Sequence, residues 1–96
     1  MSDLRAPSAA EWSHLRRAKA SPDHWAIRMT YTDDDGRRTV RHVSPIRLRG
    51  FGATATMTAL CLSREEPRTF RLCHCRDITL VPAHDLLMPV PIEESE

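Results

Sequence analysis

The chain has 96 residues, 41% of them hydrophobic, and a formal net charge of +1 at pH 7. A chain of this length builds one hydrophobic core, so we expect a single domain, and the near-neutral charge excludes a general basic field for nucleic acid. The sequence also lacks an apolar run of about 18 residues and an apolar secretory signal, so we expect no membrane span and, with three cysteines, a cytoplasmic protein with free thiols.

The N-terminal segment, residues 1–22, is predicted to contain one helix. Ser8 can accept a hydrogen bond at the start of this helix, and Glu11 follows three residues later, which is the spacing of a capping box. We expect the helix to run from about Ala9 to Ala20. Pro22 then ends it, because proline has no N–H to donate.

A strand and a tight turn follow the helix. Apolar side chains alternate with polar or small ones, which is the period of a half-buried strand, at Trp25, Ile27, Met29 and Tyr31. The pair Asp35-Gly36 favours a two-residue hairpin loop, since both residue types tolerate positive φ. The chain then returns as "RRTVRHV", which is predicted to be the second strand.

The two-residue loop fixes a register for this hairpin. In this register Tyr31 lies opposite Val40 and Met29 lies opposite His42. His42 would then occupy a core position as a buried histidine. Arg41 would lie on the opposite face of the sheet.

The remaining sequence favours three more short strands. Pro45 is expected to end the second strand, because proline cannot donate to a ladder. The uncharged stretch "ATATMTALCL" is typical of a central strand, and "RTFRLCHC" and "DITLV" read as the last two strands or as one bent strand. We therefore predict a mainly β fold with an N-terminal helix, as a small five-stranded barrel or a strongly curved antiparallel sheet over residues 23–83, followed by a Pro-rich acidic tail at residues 84–96.

The Cys-His-Cys sequence in the fourth strand raises three alternatives. Strand alternation places Cys73 and Cys75 on one face and His74 on the other, so the three would converge on a zinc ion only if a bulge interrupted the strand. Two cysteines at this spacing also rarely reach disulfide geometry. Packing in the core is favoured for both, as it is for Cys61.

Two stretches, "YTDDDGRRTVRHVSP" and "RTFRLCHCRDI", occur in an order and at a separation that resemble the WYL domain. The resemblance covers about Ala26 to Val81. It implies a five-stranded barrel of the Sm or SH3-like type that acts as a bacterial regulatory module. Counted from "RTFRL", the Trp-Tyr-Leu triplet of the family falls on Ala55, Thr56 and Met57, so its aromatic pair is not retained.

The resemblance also implies a binding site for an anionic ligand, such as single-stranded nucleic acid or a nucleotide, in transcription regulation or in stress and defence signalling. Its candidate ligand-binding residues are Tyr31, Arg41, Arg68, Arg71 and His74. The three arginines would bind phosphates, and the tyrosine and the histidine would shape the rim.

The residues themselves leave an alternative open at this site. Arg68 and Arg71 have opposite parity, so they share a pocket only if the strand bends between them. Each arginine could instead be a solvated strand residue that pairs with a nearby carboxylate such as Glu65 or Glu66.

The sequence contains no catalytic motif, so we expect a protein that is not an enzyme and that needs no cofactor and no metal. Ser63 has no histidine in a recognisable motif, and the three glycines cannot form a phosphate-cradling loop. The alternative function is a protein-interaction or oligomerisation module without nucleic-acid binding. An exposed edge strand or the tail sequence "DLLMPVP" would then dock a protein partner or a second copy of the chain.

Overall fold

The computed structural model describes residues 6–62 and 65–83 of the chain. The described part contains one helix, five strands and two short 3₁₀ turns. The helix and strands are α1 (Ala9–Ala20), β1 (Trp25–Thr32), β2 (Arg38–Arg49), β3 (Thr56–Cys61), β4 (Glu66–Arg71) and β5 (Cys75–Pro82). The 3₁₀ turns are Gly52–Thr54 and Leu72–His74. Within these described ranges, no helix is both long and apolar enough to cross a membrane.

Helix α1 has the predicted bounds and the predicted capping box. The Ser8 hydroxyl accepts a hydrogen bond from the Glu11 N–H at 3.1 Å, and Glu11 Oε1 accepts one from the Ser8 N–H at 2.9 Å. The other carboxylate oxygen of Glu11 accepts from the Ile78 N–H at 3.3 Å. The cap therefore ties the helix to β5, and the fully buried Leu15 and Ala18 pack the helix onto the sheet.

The five strands form one antiparallel sheet in the order β4-β3-β2-β1-β5. Strands β4 and β5 lie at opposite edges, yet only the three-residue turn Leu72–His74 joins them. A flat sheet of five strands would separate its edges by about 19 Å. A three-residue 3₁₀ turn rises only about 6 Å, so the sheet must curve strongly. The predicted curved antiparallel sheet is confirmed, and no pairing between β4 and β5 closes it within the described residues.

The core lies on the inner face of the curved sheet, which we define by Ile27, Val43 and Met57. Its buried members are Leu15, Ala18, Ile27, Met29, Val43, Ala55, Met57, Ala59, Phe70, Leu72, Cys75 and Ile78. Larger side chains pack around them at the margin: Trp12, Trp25, Tyr31, Leu48 and Leu80. Helix α1 covers part of this face, because Leu15 and Ala18 belong to the same cluster.

The predicted register of the first hairpin was wrong by one residue. Tyr31 lies opposite Thr39, and Met29 lies opposite Arg41. His42 lies opposite Arg28 and is only half-buried, so the prediction of a core histidine was also wrong. Arg41 consequently lies on the inner face, with Met29, and not on the outer face as predicted.

The geometry of the loop explains this error. The Gly36 N–H donates to the Asp33 carbonyl at 2.9 Å, and the Asp33 N–H donates to the Arg37 carbonyl at 3.0 Å. Asp33 Oδ1 also accepts from the N–H groups of Asp35 and Arg37, both at 2.9 Å. Gly36, with φ at +81°, is therefore the last residue of a four-residue turn and adopts the left-handed conformation. This loop has one residue more than the Asp35-Gly36 loop would have.

The prediction that Pro45 ends the second strand was wrong. Strand β2 continues through Pro45 to Arg49. The register with β3 shifts between Pro45 and Arg47, and beyond Val43 the strand pairs with β3 and not with β1. Proline is tolerated beside such a bulge, because one side of the ladder needs no N–H there.

Candidate functional site

Two arginines and two aromatic rings meet on the inner face of the sheet. The rings of Tyr31 and Phe70 lie 5.1 Å apart between centroids in an edge-to-face arrangement at 79°. The guanidinium of Arg41 lies 5.8 Å from the centroid of the Tyr31 ring, and that of Arg68 lies 5.9 Å from the Phe70 ring. We call these four residues the arginine–aromatic cluster.

Strand register and sheet curvature together build this cluster. Arg41 lies opposite Met29, and Arg68 lies opposite Ala59, so both arginines share a face with buried residues. Strands β1 and β4 are not neighbours in the sheet, so the contact between Tyr31 and Phe70 is made across the inner face. Only the curvature of the sheet brings these two strands within reach of each other.

The electrostatics of the cluster leave its positive charges available. Among residues 6–62 and 65–83, neither Arg41 nor Arg68 forms an ion pair with a carboxylate. Among the described residues, Arg68 therefore does not pair with Glu65 or Glu66, as the alternative interpretation had suggested. Arg41 donates one hydrogen bond from Nε to the hydroxyl of Thr39 at 3.0 Å, which holds its side chain along β2.

Tyr31 keeps its phenolic proton in this environment. Burial raises the pKa of Tyr31 above its ordinary value, and the nearby Cys75 and Asp34 act in the same direction. Arg68 and Arg41 act in the opposite direction but do not reverse the shift. The hydroxyl is therefore neutral at physiological pH and can donate or accept a hydrogen bond.

The other two predicted site residues lie outside the cluster. Arg71 lies opposite Thr56 on the outer face, since β4 does not bend between Arg68 and Arg71. His74 lies in the turn that follows β4, where its Nδ1 is 3.1 Å from the Thr32 carbonyl oxygen. Its ring centroid is 6.3 Å from that of Tyr31. The structure thus brings together three of the five predicted residues and places His74 beside them.

Two cavities flank His74, and both are lined by Cys73 and His74. One has a volume of about 300 Å³ and is also lined by Thr32, Asp33, Asp34, Gly36, Arg38 and Arg76. The other has a volume of about 280 Å³ and is also lined by Ala53, Thr54, Ala55, Thr56 and Arg71. We call the two cavities together the turn groove, because the turn Leu72–His74 forms their common wall.

The cysteines near this turn are buried, as predicted, but for a different geometric reason. Residues 72–74 form a 3₁₀ turn, so the strand alternation assumed for Cys73, His74 and Cys75 was wrong. Cys73 lines both cavities, whereas Cys75 packs in the core and donates its S–H to the Arg71 carbonyl at 3.5 Å. Burial raises the pKa of Cys75 to about 12, with smaller effects from Cys73 and Glu11, so this thiol is protonated. Across the described ranges, no three His, Cys, Asp or Glu side chains are grouped as a metal site requires.

Sequence reasoning missed three residues that border these sites. Phe70 has the same parity as Arg68, and this spacing is the signal that could have placed it beside the arginine. Arg38 and Arg76 come from two different strands. No local pattern in the sequence could show that they line one cavity.

The fold and the cluster define a small curved-sheet domain with arginines on its inner face. The family model of the WYL domain matches residues 15–80, so the chain belongs to the WYL domain family. Among solved structures, the chain is similar to proteasome accessory factor B/C (PafBC) of Arthrobacter aurescens, at 23% sequence identity and a TM-score of 0.53. The match covers 78% of this chain and 12% of the PafBC chain, and it shows a shared fold. No match was found among curated proteins.

Proposed function

We propose that the chain is a regulatory module that binds an anionic ligand, either single-stranded nucleic acid or a nucleotide, at the arginine–aromatic cluster. One observation carries the proposal. Arg41 and Arg68 share the inner face, each beside an aromatic ring, and no carboxylate among the described residues pairs with either. Cationic side chains held in this way are suited to phosphate oxygens.

The rings support the guanidiniums rather than offering free surfaces to bases. A guanidinium over a ring keeps its edge N–H groups free, and these are the groups that bind phosphate. The Tyr31 ring is already approached by Arg41 and by the edge-to-face contact with Phe70. We therefore expect recognition of the ligand backbone with little preference for base sequence.

Membership of the WYL domain family supports a regulatory role. We propose that this role is in bacterial transcription regulation or in stress and defence signalling, in the cytoplasm, and that the module is not an enzyme.

Salt-dependent binding tests this proposal directly. Fluorescence anisotropy with short labelled single-stranded DNA and RNA would be measured at several salt concentrations. Two phosphate contacts predict a slope of about −1.4 for the logarithm of the binding constant against the logarithm of salt concentration. Arg41→Ala and Arg68→Ala should each reduce the slope by about 0.7.

The matched control is Arg28→Ala, which removes the same charge from an exposed position on the outer face. This variant should keep the affinity and the salt slope of the unmodified chain. Binding that is absent at low salt, or equal losses in Arg68→Ala and Arg28→Ala, would exclude the cluster as the phosphate site.

A protein-interaction module is the second candidate, and an exposed aromatic residue favours it. The Phe51 side chain is 74% exposed, and its carbonyl accepts a hydrogen bond from the Thr54 hydroxyl at 3.4 Å at the start of the turn Gly52–Thr54. An exposed large apolar side chain is a common anchor for a protein partner or a second copy. The tail sequence "DLLMPVP" lies outside the described residues.

Size-exclusion chromatography with light scattering separates this candidate from the first. If Phe51 anchors an assembly of identical chains, the full chain should elute as an oligomer and Phe51→Ser should elute as a monomer. Truncation after His84 tests the tail in the same way. A full chain that remains monomeric at high concentration would contradict self-assembly.

A further inference from the structure

The last residues of β2 form a cationic and partly apolar patch on the outer face of the sheet. Arg47 and Arg49 lie on this face, because they pair with Thr58 and Thr56 of β3. Both arginines are exposed, and neither guanidinium forms an ion pair or a hydrogen bond within residues 6–62 and 65–83. Ile46, in the bulge beside Arg47, is 51% exposed. We call Ile46, Arg47 and Arg49 the β2-end patch.

The first residues of β2 present a different charge pattern on the same face. Arg38 is exposed there, but Asp33 and Asp34 line a cavity together with it. Val40 follows on this face, opposite Thr30, and is 50% exposed. An acidic ligand would be repelled by the carboxylates at this end of the strand, whereas it would meet two uncompensated cations at the β2-end patch.

The acidic tail, residues 84–96, has a composition that complements this patch. It contains four carboxylates and no Lys or Arg, and residues 86–88 form the apolar run "LLM". Residues 1–83 contain all 14 Lys and Arg but only nine of the 13 Asp and Glu, so they carry a net charge of +5. The tail carries −4. The near-neutral total of +1 is therefore the sum of two parts with opposite charge.

The tail also starts at the end of the sheet where this patch lies. The Ala83 N–H donates to the His24 carbonyl at 2.9 Å, which fixes the point where residue 84 begins. Because β1 and β2 are antiparallel, the residues of β2 beyond Val43 lie towards this same end. Strand β2 is two strand spacings, about 10 Å, from β5. The ten residues from Ala83 to Glu93 span up to about 33 Å, so the carboxylates can reach the patch.

We infer that residues 84–96 dock on the β2-end patch of their own chain. The apolar residues 86–88 pack on Ile46, and the carboxylates of Glu93 and Glu94 pair with Arg47 and Arg49. The docked tail neutralises these two arginines, so this end of β2 presents no free cation to an anionic ligand. The inference goes beyond the proposed function and uses none of the residues of the arginine–aromatic cluster.

Paramagnetic relaxation in NMR spectra of the full chain tests this docking. A nitroxide spin label is attached at Ser95→Cys, and the same reaction on the unmodified chain is the control, since its three cysteines are buried. At low salt the amide signals of Arg47 and Arg49 should lose most of their intensity, whereas that of Arg38 should not. Salt at about 1 M should restore the signals, because the screening length then falls to about 3 Å.

Charge reversal and its rescue test the assigned ion pairs. Arg47→Glu with Arg49→Glu should abolish the signal loss at residues 46–49, and adding Glu93→Arg with Glu94→Arg should restore it. Rescue of this kind requires the two pairs of charges to meet, which a merely destabilising substitution would not produce. Unchanged chemical shifts in the other strands verify that each variant is folded.

The apolar contact has its own matched pair of variants. Ile46→Ser should reduce the signal loss at Arg47 and Arg49, because it removes the surface on which residues 86–88 pack. Val40→Ser removes a side chain of nearly equal exposure on the same face and should leave the signal loss unchanged. Equal effects of the two substitutions would overturn the placement of the apolar residues.

Two outcomes would overturn the docking itself. One is full signal intensity at residues 46–49 at low salt in the labelled chain. The other comes from mixing spin-labelled chain with ¹⁵N-labelled chain that carries no spin label, because signal loss in the latter would place the tail on a second copy. If the tail docks as inferred but Arg41→Ala and Arg68→Ala leave oligonucleotide binding unchanged, the proposed function fails alone.

Discussion

Arg68 and Arg71 are three residues apart on one strand, yet they belong to two different sites. Arg68 lies on the inner face beside the Phe70 ring, whereas Arg71 borders a cavity of the turn groove on the outer side. Period-two alternation separates them, and β4 has no bulge that would reverse this. Two residues that are close in sequence therefore need not share a site on a sheet, because the face on which each side chain lies determines which site it joins.

The two sites also differ in how their charge is balanced. The arginine–aromatic cluster contains two cations and no carboxylate, and its residues lie on the three strands β1, β2 and β4. The turn groove mixes Arg38 and Arg76 with Asp33 and Asp34, and it is built largely from loops and turns. The cluster therefore presents positive charge alone, whereas the groove presents charges of both signs.

The largest expected effect on stability that tests this comparison comes from a substitution of Phe70. Its ring is 1% exposed, so Phe70→Ala should lower the free energy of unfolding by about 3–5 kcal/mol. The change also removes the ring beside Arg68 and Tyr31, so the remaining native protein should lose affinity for the ligand of the cluster. Urea denaturation measures the first effect and titration at low temperature the second.

Phe51→Ala is the matched control, because it removes the same side chain from a position that is 74% exposed. We expect it to change the free energy of unfolding by less than about 0.5 kcal/mol. Similar losses in both variants would show that Phe70 does not hold the cluster through burial.

The contrast between strands and turns also sets how much the sequence could predict. The capping box of Ser8 and Glu11 and the alternation of β1 are local signals, and both the helix and the strand were confirmed. The curved sheet was predicted because tight turns separate several short strands. These features depend on residues close together in the chain.

The errors in the prediction from sequence arose at two turns, where the loop length or the backbone conformation differs from the one assumed. One extra residue in the hairpin loop moved Arg41 to the inner face, and the 3₁₀ turn at residues 72–74 ended the alternation of the cysteine segment. The sequence also could not predict contacts between distant elements, such as the contact of Tyr31 with Phe70 across the curved sheet. A single sequence shows neither sheet curvature nor which strands face each other.

A second prediction concerns Cys75, which follows the turn Leu72–His74 and packs in the core. Burial raises the pKa of Cys75 from 9.0 to about 12 in the folded chain, so the folded state holds the thiol proton more tightly than the unfolded state. Its contribution to stability is complete below pH 9 and is lost as the pH rises towards 12. The loss proceeds at up to about 1.4 kcal/mol per pH unit.

Urea denaturation at a series of alkaline pH values measures this loss. Cys75→Ala should be less stable at neutral pH but should lose much of the slope between pH 9 and 12. Because the pKa of Tyr31 is also raised, a smaller slope above pH 10 should persist in this variant. A slope unchanged in Cys75→Ala would show that the thiol is not the titrating group.

Substitution of Gly36 is expected to have the smallest effect on stability. It nevertheless tests the comparison most closely, because Gly36 affects both sites. Its φ of +81° requires the left-handed region, and a Cβ there would meet no atom within 4 Å. Gly36→Ala should therefore cost about 1–2 kcal/mol of stability, from backbone strain and not from a clash. Gly36→Asn should cost less, since asparagine tolerates this conformation better than alanine.

Gly36 fixes the loop length that places Arg41 on the inner face, and it also lines the larger cavity of the groove. If Gly36→Ala is destabilised but native, the Arg41-dependent salt slope should survive, because the register is held by six paired positions from Thr32–Arg38 to Ile27–Val43. If the salt slope falls instead, the hairpin has slipped towards the two-residue loop and Arg41 has moved to the outer face. Anisotropy at several salt concentrations on this variant therefore reports the register of the hairpin.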